Sequence, residues 1–362
     1  MDKPKIYFEG GYPEWKVCKI EDVVNYERPD SYIVKSTNYQ SEGVPVLTAN
    51  KSFVLGFTDE DFGIYESGET VIFDDFTCDS KYVNFRFKVK SSAIKILTAK
   101  DGKKLSMRFF GEALASKAYK PNGHQRHWIG IIQKQEIKLP CYEEQQKIAT
   151  FFSSLDSKIG VLEEQINKMS SLRDGLLRQL FERKIAFKFD EPNGSVDWKE
   201  MKIKDVAPLQ RGFDLPSSEL EDGDCNVIYS NGQVSKHNRY KCEGCAVVTG
   251  RSGTIGKVFY LDYCKYWPHN TTLWVTDFCG NLPKFVFYLF QFVGLERFST
   301  GTGVPTLNRN DVHDFIVKIP NYQEQEKIVA FMDAISLKIE LLNKRRDCFV
   351  KMKNGFVKQM FV

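Results

Sequence analysis

The sequence has no run of apolar residues long enough to cross a membrane. Its longest apolar stretch, residues 285–293, is interrupted by Gln291 and is far shorter than the ~18 to 20 residues that a membrane-spanning helix needs. Residues 1–5 are followed by no apolar segment of the kind that a secretory leader requires. We therefore expect a cytoplasmic protein whose nine cysteines are reduced thiols.

Motifs for catalysis are also missing. The sequence contains no Asn-Pro-Pro-aromatic or Asp-Pro-Pro-Tyr motif for methyl transfer, and no convincing nucleophile with a base beside it. Residues 250–258 are rich in glycine but do not form a phosphate-binding loop, because five residues separate Gly250 from Gly256 and valine follows Lys257. We therefore expect a protein that is not an enzyme.

The nearest approach to a metal motif is the pair Cys242 and Cys245, which has the spacing of half a zinc site. A structural zinc site generally needs a second close pair, and the sequence offers none. We therefore predict no metal site.

Positive and negative residues are unevenly distributed along the chain. Residues 9–80 contain 5 Lys and Arg against 15 Asp and Glu, whereas residues 81–138 contain 14 against 3. A basic block of this size is typical of a surface that meets a polyanion. The alternative is a solvated basic face that the acidic segment balances within one fold.

The chain is internally duplicated. Residues 138–181 align without a gap on residues 318–361, and 14 of these 44 positions are identical. A second pairing opens each half, since Trp15-Lys16 matches Trp198-Lys199 at an offset of 183 residues. With 362 residues, the chain is long enough for two domains, each a globular block followed by a helical block.

The spacing of apolar residues predicts a long helix in each repeat. Seven apolar residues between Ile148 and Met169 step alternately by four and three, which is the seam of a coiled coil. The seam recurs from Ile328 and is broken by Arg346. A first helix from Cys141 to about Lys184 would be ~65 Å long. Because such an amphipathic helix needs a partner, the two helices are predicted to pair antiparallel.

These observations predict an α+β protein with an internal pseudo-two-fold symmetry. Residues 1–139 and 188–319 form two globular mixed α/β domains, the second preceded by a turn-rich linker. Residues 140–187 and 320–362 form the two long helices of an antiparallel coiled coil, which separates the domains.

A family resemblance rests on four motifs. Both helical blocks begin with Pro-x3-Glu-Gln-x2-Ile, at residues 140–148 and 320–328, and the second globular block contains TGRSGTIGKV at 249–258 and GVPTLN at 303–308. Together with the duplication, these motifs resemble the specificity (S) subunits of Type I restriction-modification enzymes over nearly the whole chain. The 249–258 and 303–308 motifs look like stretches that recur in that family's target-recognition domains.

The first globular block departs from these two signatures. It has VIFDDFT at residues 71–77 and GHQRHW at residues 123–128 in roughly the same places. Such divergence is expected in this family, because the two target-recognition domains read different DNA sequences.

The resemblance implies a DNA-recognition subunit. Each target-recognition domain would read one half of a bipartite, asymmetric site in double-stranded DNA, while the helices would set the spacer and dock other subunits. Two methyltransferase (M) subunits would bind this chain, and restriction-motor (R) subunits could join them. S-adenosylmethionine, ATP and Mg would belong to those partners, with no cofactor on this chain.

Loop residues that suit phosphates or base edges are the candidates for contact with DNA. In the first block they lie in the basic stretch, which we predict to be mostly on the DNA side, and are Lys120, His124, Gln125 and Arg126. In the second block they are Arg251, Ser252, Thr254, Lys257, Asn270, Thr306, Asn308 and Arg309. The alternative in each block is a purely structural turn with polar residues at its surface.

Glu144-Gln145 and Glu324-Gln325 stand at the start of the two helices. They could stabilise the helix start, since glutamates suit the positive end of the helix dipole, or they could bind a partner subunit. Both interpretations can hold together.

Two other functions are compatible with the sequence. A coiled-coil interaction scaffold would use the duplicated domains to bind proteins, and a self-sufficient DNA-modifying enzyme would carry motifs that the sequence does not reveal.

Overall fold

A computed structural model describes residues 5–8, 15–50, 52–117, 119, 125–187, 198–232, 234–300 and 305–361. The chain divides into two compact units, Met1–Glu164 with Asn343–Val362, and Gln165–Leu342. Each unit therefore combines one globular block with parts of both long helices. The linker predicted at the start of residues 188–319 falls mostly outside the described residues.

The first unit is built from short strands and helices. The strands are β1 (Lys16–Lys19), β2 (Val24–Glu27), β3 (Val44–Leu47), β4 (Val54–Thr58), β5 (Thr70–Asp74), β6 (Ser80–Val83), β7 (Lys88–Val89), β8 (Ile94–Ala99) and β9 (Glu136–Leu139). The helices are α1 (Ile20–Val23), α2 (Met107–Ser116) and the first part of α3 (Tyr142–Phe181). One sheet has the order β2-β8-β5-β6, another the order β4-β3-β7, and β1 pairs with β9.

Helix α2 packs on the first of these sheets. It begins where the Ser106 hydroxyl accepts a hydrogen bond from the Phe109 N–H, a typical helix cap. Phe109 and Phe110 are fully buried in a cluster that includes Phe73 of the sheet and Phe152 of α3. This shared apolar core joins the sheet, α2 and the long helix within the first unit.

The second unit contains a larger sheet. Its strands are β10 (Lys199–Lys202), β11 (Leu209–Arg211), β12 (Cys225–Ile228), β13 (Val234–His237), β14 (Cys242–Gly250), β15 (Val258–Pro268), β16 (Thr272–Val275), β17 (Ser299–Thr300), β18 (Thr306–Leu307) and β19 (Ile316–Ile319). Its helices are α4 (Ile203–Val206), α5 (Pro283–Val293), α6 (Arg309–His313), the end of α3 and the first part of α7 (Tyr322–Met360), whose last part belongs to the first unit. The main sheet has the order β11-β16-β14-β15-β12-β13, while β10 pairs with β19 and β17 with β18.

The two long helices are α3 (Tyr142–Phe181) and α7 (Tyr322–Met360). Within the first unit, α3 and the end of α7 run antiparallel, because residues later in α3 contact residues earlier in α7. The Phe151 and Phe356 rings lie 4.9 Å apart, and the Lys353 ammonium donates to Asp156 over 2.8 Å. The predicted α+β fold with two mixed domains and long helices is confirmed. Among the described residues, none of the helices could span a membrane.

Residues 83–89 alternate apolar and polar side chains and so predict one strand, but this prediction is wrong in the middle of the segment. Strand β6 ends at Val83 and β7 contains only Lys88 and Val89. Between them, the backbone of Phe87 exchanges hydrogen bonds of 2.8 and 3.2 Å with Tyr65, which lies outside the named strands. The alternation of side chains is typical of a strand, but the partners of this backbone come from a loop.

Candidate nucleic-acid interface

Three turns of the second unit meet at one end of the main sheet. The Arg251 and Ser252 N–H groups donate to the Thr271 carbonyl over 2.8 and 3.2 Å, which joins the turn after β14 to the turn before β16. The Leu307 N–H donates to the Arg251 carbonyl over 2.8 Å, which adds the segment that leads into α6. Residues predicted from the sequence to contact DNA lie on all three of these turns.

Local chemistry explains why these turns form. At Gly250 a Cβ atom would lie 1.7 Å from the Thr254 carbonyl oxygen, so only glycine allows the tight turn after β14. Asn308 precedes α6, and its side chain accepts from the Asn310 N–H over 3.1 Å. This cap places Arg309 in the first turn of a short helix.

The turns surround a depression of about 440 Å³. Its lining combines three guanidinium side chains, an amide and a hydroxyl with two leucines: Arg211, Arg251, Arg309, Asn308, Thr306, Leu273 and Leu307. Arginine binds phosphates and the major-groove edge of guanine through two parallel hydrogen bonds, and asparagine does the same with adenine. We refer to this depression as the arginine pocket.

Arg211 belongs to the arginine pocket but was not predicted from the sequence. It ends β11, and its guanidinium forms an ion pair of 3.0 Å with Asp214. The Asp214 carboxylate also accepts from the side-chain amide of Asn270. The sequence repeat could have pointed to Arg211, because Arg28 occupies the equivalent position of the first block. These two arginines are 183 residues apart, as are Trp15 and Trp198.

A half-buried histidine joins α6 to β11, the elements that carry Arg309 and Arg211. His313 of α6 accepts a hydrogen bond from the Leu209 N–H of β11 through Nε2, over 2.8 Å. Burial lowers the pKa of His313, and the neighbouring Arg309 adds to this shift. A neutral ring is required for this bond, since an accepting Nε2 carries no proton.

The other predicted residues of the second block lie around or away from the pocket. Ser252 and Thr306 form an isolated antiparallel β-bridge, while the side-chain amide of Asn270 donates a hydrogen bond to Asp214. Thr254 closes the turn against Gly250 and is not part of the pocket lining. Lys257 lines a different depression, together with residues of α3.

The predicted residues of the first block are only partly described. Gln125 and Arg126 are exposed, whereas Lys120 and His124 lie outside the described residues. The next two residues along the chain, His127 and Trp128, are 2% and 1% exposed. The exposed Gln125 and Arg126 therefore directly precede His127 and Trp128, which we call the buried anchor.

The basic stretch is partly neutralised inside the fold. The Lys88 ammonium is buried 2.9 Å from Glu60, and the Lys95 ammonium is buried 3.4 Å from Asp75. Both acidic partners come from the acidic segment of residues 9–80. The expectation that the stretch lies mostly on the DNA side is therefore wrong for these two lysines, because opposite charges pair within one domain.

The four residues predicted as a partner-binding set are buried at the starts of α3 and α7. Gln145 accepts from the Ser106 N–H over 3.0 Å, and Gln325 accepts from the Leu282 N–H over 3.0 Å. Since Ser106 and Leu282 precede α2 and α5, each glutamine satisfies a free N–H at the start of a domain helix. These side chains offer little surface to a partner.

Glu144 and Glu324, which are equivalent in the two repeats, differ in their hydrogen bonding. Glu324 accepts a hydrogen bond of 3.0 Å from the Trp198 indole N–H. The equivalent groups of the first unit are Trp15 and Glu144, and neither has a hydrogen-bond partner among the described residues. Burial raises the pKa of both glutamates, and the Trp198 hydrogen bond opposes that shift at Glu324.

Glu144→Gln should stabilise the first unit at neutral pH. A carboxyl with a raised pKa in the folded state lowers the stability of the protein as pH rises through its titration range, because the folded state must give up a proton that it holds more tightly than the unfolded state does. The gain in stability from Glu144→Gln should therefore be absent below the pKa of the unfolded state, grow as pH rises and then level off. Removing an unpaired buried charge should contribute about 1 kcal/mol, which is about 2–4 °C in Tm.

Thermal unfolding of the two proteins between pH 4 and pH 8 would measure this difference. Glu324→Gln is the matched control, and we expect a smaller gain because the Trp198 indole already stabilises that carboxylate. A Tm difference for Glu144→Gln that does not change with pH would contradict the assignment.

No group of three or more His, Cys, Asp or Glu side chains among the described residues could hold a metal ion. Cys242 and Cys245 are free thiols in β14, and burial raises the pKa of Cys242 to about 11. A thiol with a raised pKa is a poor metal ligand, since ligation requires the thiolate.

Comparisons with known proteins agree with this architecture. The chain matches the family model described as Type I restriction modification DNA specificity domain twice, at residues 12–170 and 195–347. It is 26% identical to the EcoR124I/EcoR124II specificity subunit of Escherichia coli, over 90% of this chain and 87% of that protein. It is 23% identical to the MjaVIII specificity subunit of Methanocaldococcus jannaschii, over 57% of this chain and 52% of that protein.

Solved structures show the same fold. The S subunit of a Type I restriction-modification system from M. genitalium superposes with a TM-score of 0.66 at 16% identity, covering 100% of this chain and 99% of that chain. A further chain from a type I restriction-modification system gives a TM-score of 0.50 at 13% identity, covering 97% and 98%. The two matched domains and the E. coli relative together show that the chain belongs to the family of Type I restriction-modification DNA specificity proteins.

Proposed function

We propose that this chain selects DNA sites for a Type I restriction-modification complex, with each globular block reading one half of a bipartite, asymmetric site. The observation that carries this proposal is the arginine pocket, where Arg211, Arg251 and Arg309 meet Asn308 and Thr306 at one end of the main sheet. Contacts to phosphates would fix the register on DNA, and contacts to base edges would select the sequence.

The first block would use different chemistry for the other half-site. It has the exposed pair Gln125 and Arg126 beside a buried anchor. Glutamine pairs with the major-groove edge of adenine, and arginine with that of guanine. Two unlike reading surfaces on one chain suit a site whose halves differ in sequence.

Two methyltransferase subunits are the proposed partners, and restriction-motor subunits could complete the complex. In the first unit, Val161 of α3 and Met352 of α7 are 51% and 40% exposed. Their repeat equivalents in the second unit, Leu341 and Leu172, are 54% and 51% exposed. Exposed apolar side chains favour protein contact, and the same set in each unit suits two copies of one partner.

S-adenosylmethionine, ATP and Mg would be bound by these partner subunits. The purified chain with S-adenosylmethionine should therefore transfer no methyl groups to DNA, whereas addition of the M subunits should start methylation. Methyl transfer by the chain alone would contradict the proposed division of labour.

An exchange of the second block tests the proposal directly. Replacing residues 196–318 with the corresponding block of another family member should replace one half-site completely and leave the other unchanged, because each block has its own reading surface. The measurement is a map of modified adenines in a genome that carries the hybrid chain with its M subunits.

The reciprocal exchange of residues 1–139 is the matched control, and it should change the opposite half-site. If one exchange alters both half-sites in an assembled complex, then the two blocks do not read DNA independently.

A further inference from the structure

Asp75 holds the segment that carries Gln125 and Arg126. It directly follows β5 and is 1% exposed. One carboxylate oxygen, Oδ1, accepts from the backbone N–H groups of His127 over 2.9 Å and Trp128 over 2.7 Å. The Asp75 carbonyl also accepts from the His127 N–H over 3.1 Å and bonds the His127 ring through Nδ1 over 3.0 Å.

The second oxygen of Asp75 faces a buried lysine. Lys95 of β8 is 2% exposed, and its ammonium lies 3.4 Å from Oδ2. A buried carboxylate is stable only when its charge is compensated and its oxygens are bonded. Lys95 therefore compensates the charge, while Oδ1 remains available for the two backbone N–H groups.

Aromatic packing completes the anchor. The Trp128 ring lies 5.1 Å from the Phe73 ring and 6.5 Å from the Tyr26 ring, measured between centroids. Trp128 is thus fixed against β5 and β2, and the exposed Gln125 and Arg126 lie only two or three residues away along the chain. A binding side chain must be held within about 0.5 Å of its productive position by the residues that support it.

We propose that Asp75, whose charge Lys95 compensates, is a positioning residue for DNA recognition by the first block. Its Oδ1 oxygen holds the backbone at His127 and Trp128, and thereby sets the position from which Gln125 and Arg126 reach DNA. This inference rests on the proposed function, because it assigns a role in recognition to a buried residue.

Two double variants separate positioning from folding. Asp75→Leu with Lys95→Met removes both buried charges together, so that no ammonium is left without a counter-charge, and it removes the acceptor for the two N–H groups. Asp75→Asn with Lys95→Met is also uncharged but keeps a side-chain oxygen as acceptor. The full chain is assembled with its M subunits, and the methylation map and the Tm are measured for each variant.

The leucine variant should lose discrimination at the first half-site by about tenfold or more, the scale on which one mismatched base pair acts. Recognition of the second half-site should stay unchanged. The asparagine variant should recover most of the discrimination at the first half-site, because the acceptor remains. Its Tm should be similar to that of the leucine variant. Equal discrimination in the two variants, or an equal loss at both half-sites, would overturn the inference.

A second buried ion pair of the same domain provides the control. Lys88 and Glu60 are 2.9 Å apart, and their hydrogen bonds go to Phe62, Lys35 and Ser36 rather than to residues 125–128. Glu60→Leu with Lys88→Met should change the Tm but not the recognition of the first half-site. A loss of the first half-site in this control would reduce the role of Asp75 to general stability.

Failure of the proposed function would be recognised separately. Gln125→Ala with Arg126→Ala removes the exposed side chains and leaves the buried anchor intact. If this variant keeps the first half-site, the assignment of residues 125 and 126 is wrong whatever the anchor does. If it loses the half-site while the leucine variant does not, the segment reads DNA without the help of Asp75.

Discussion

Replacing Arg211, Arg251 and Arg309 together with alanine should weaken binding of DNA that carries the second half-site by at least about 100-fold, since one base-reading arginine alone contributes about 1–3 kcal/mol. All three side chains line the arginine pocket. The slope of log affinity against log salt concentration should also become less negative, by about one for each phosphate contact that is lost. Salt titrations of the assembled complex with its own DNA site would measure both quantities.

A charge-matched variant controls for the loss of positive charge. Lys236, Arg239 and Lys265 are exposed residues of the same unit that do not line the pocket. Replacing these three with alanine removes the same charge, and we expect a smaller loss of affinity with no loss of discrimination at the second half-site. Equal effects of the two variants would mean that the pocket acts only through net charge.

Single arginine variants would divide the pocket into two roles. An arginine that contacts a base should affect one position of the half-site, whereas one that contacts a phosphate should weaken binding to all sequences alike. Arg211 is held by Asp214, which also binds Asn270. Asp214→Ala should therefore affect recognition through both of its partners.

Periodic and repeated features were predictable from the sequence. The alternating steps of four and three residues predicted two long helices because helix packing repeats along the chain, and the structure forms these helices at Tyr142–Phe181 and Tyr322–Met360. Arg251, Thr306 and Asn308 were predicted because they are polar residues of stretches that resemble the family's target-recognition domains, and Arg309 because it is polar and lies in a loop-like segment. The structure brings these four together in one pocket.

Contacts between distant segments were not predictable in the same way. Lys95 and Asp75 are twenty residues apart, and nothing in their spacing indicates that both are buried. The charge pattern of the first block was therefore compatible with an exposed basic face, although part of it is internal pairing. Arg211 lies on a strand that reaches the pocket only through the order of the sheet, which the local sequence does not encode.

Lengthening both long helices by seven residues should lengthen the spacer between the half-sites by about three base pairs. Seven residues add ~10 Å to a helix at 1.5 Å per residue, and DNA advances about 3.4 Å per base pair. The insertions are placed after Glu164 in α3 and after Leu342 in α7, where the two compact units divide. Seven residues also preserve the coiled-coil seam, because they equal one heptad.

A four-residue insertion at the same two points is the informative comparison. It adds only ~6 Å and rotates the rest of the helix by roughly 40°, but it shifts the apolar seam by about half a heptad and should strain the pairing of the helices. The seven-residue variant should keep both half-site sequences in the methylation map, with a longer spacer, while the four-residue variant should lose activity or stability. A seven-residue variant that binds M subunits and still methylates with the original spacer would show that the helices do not set the distance between half-sites.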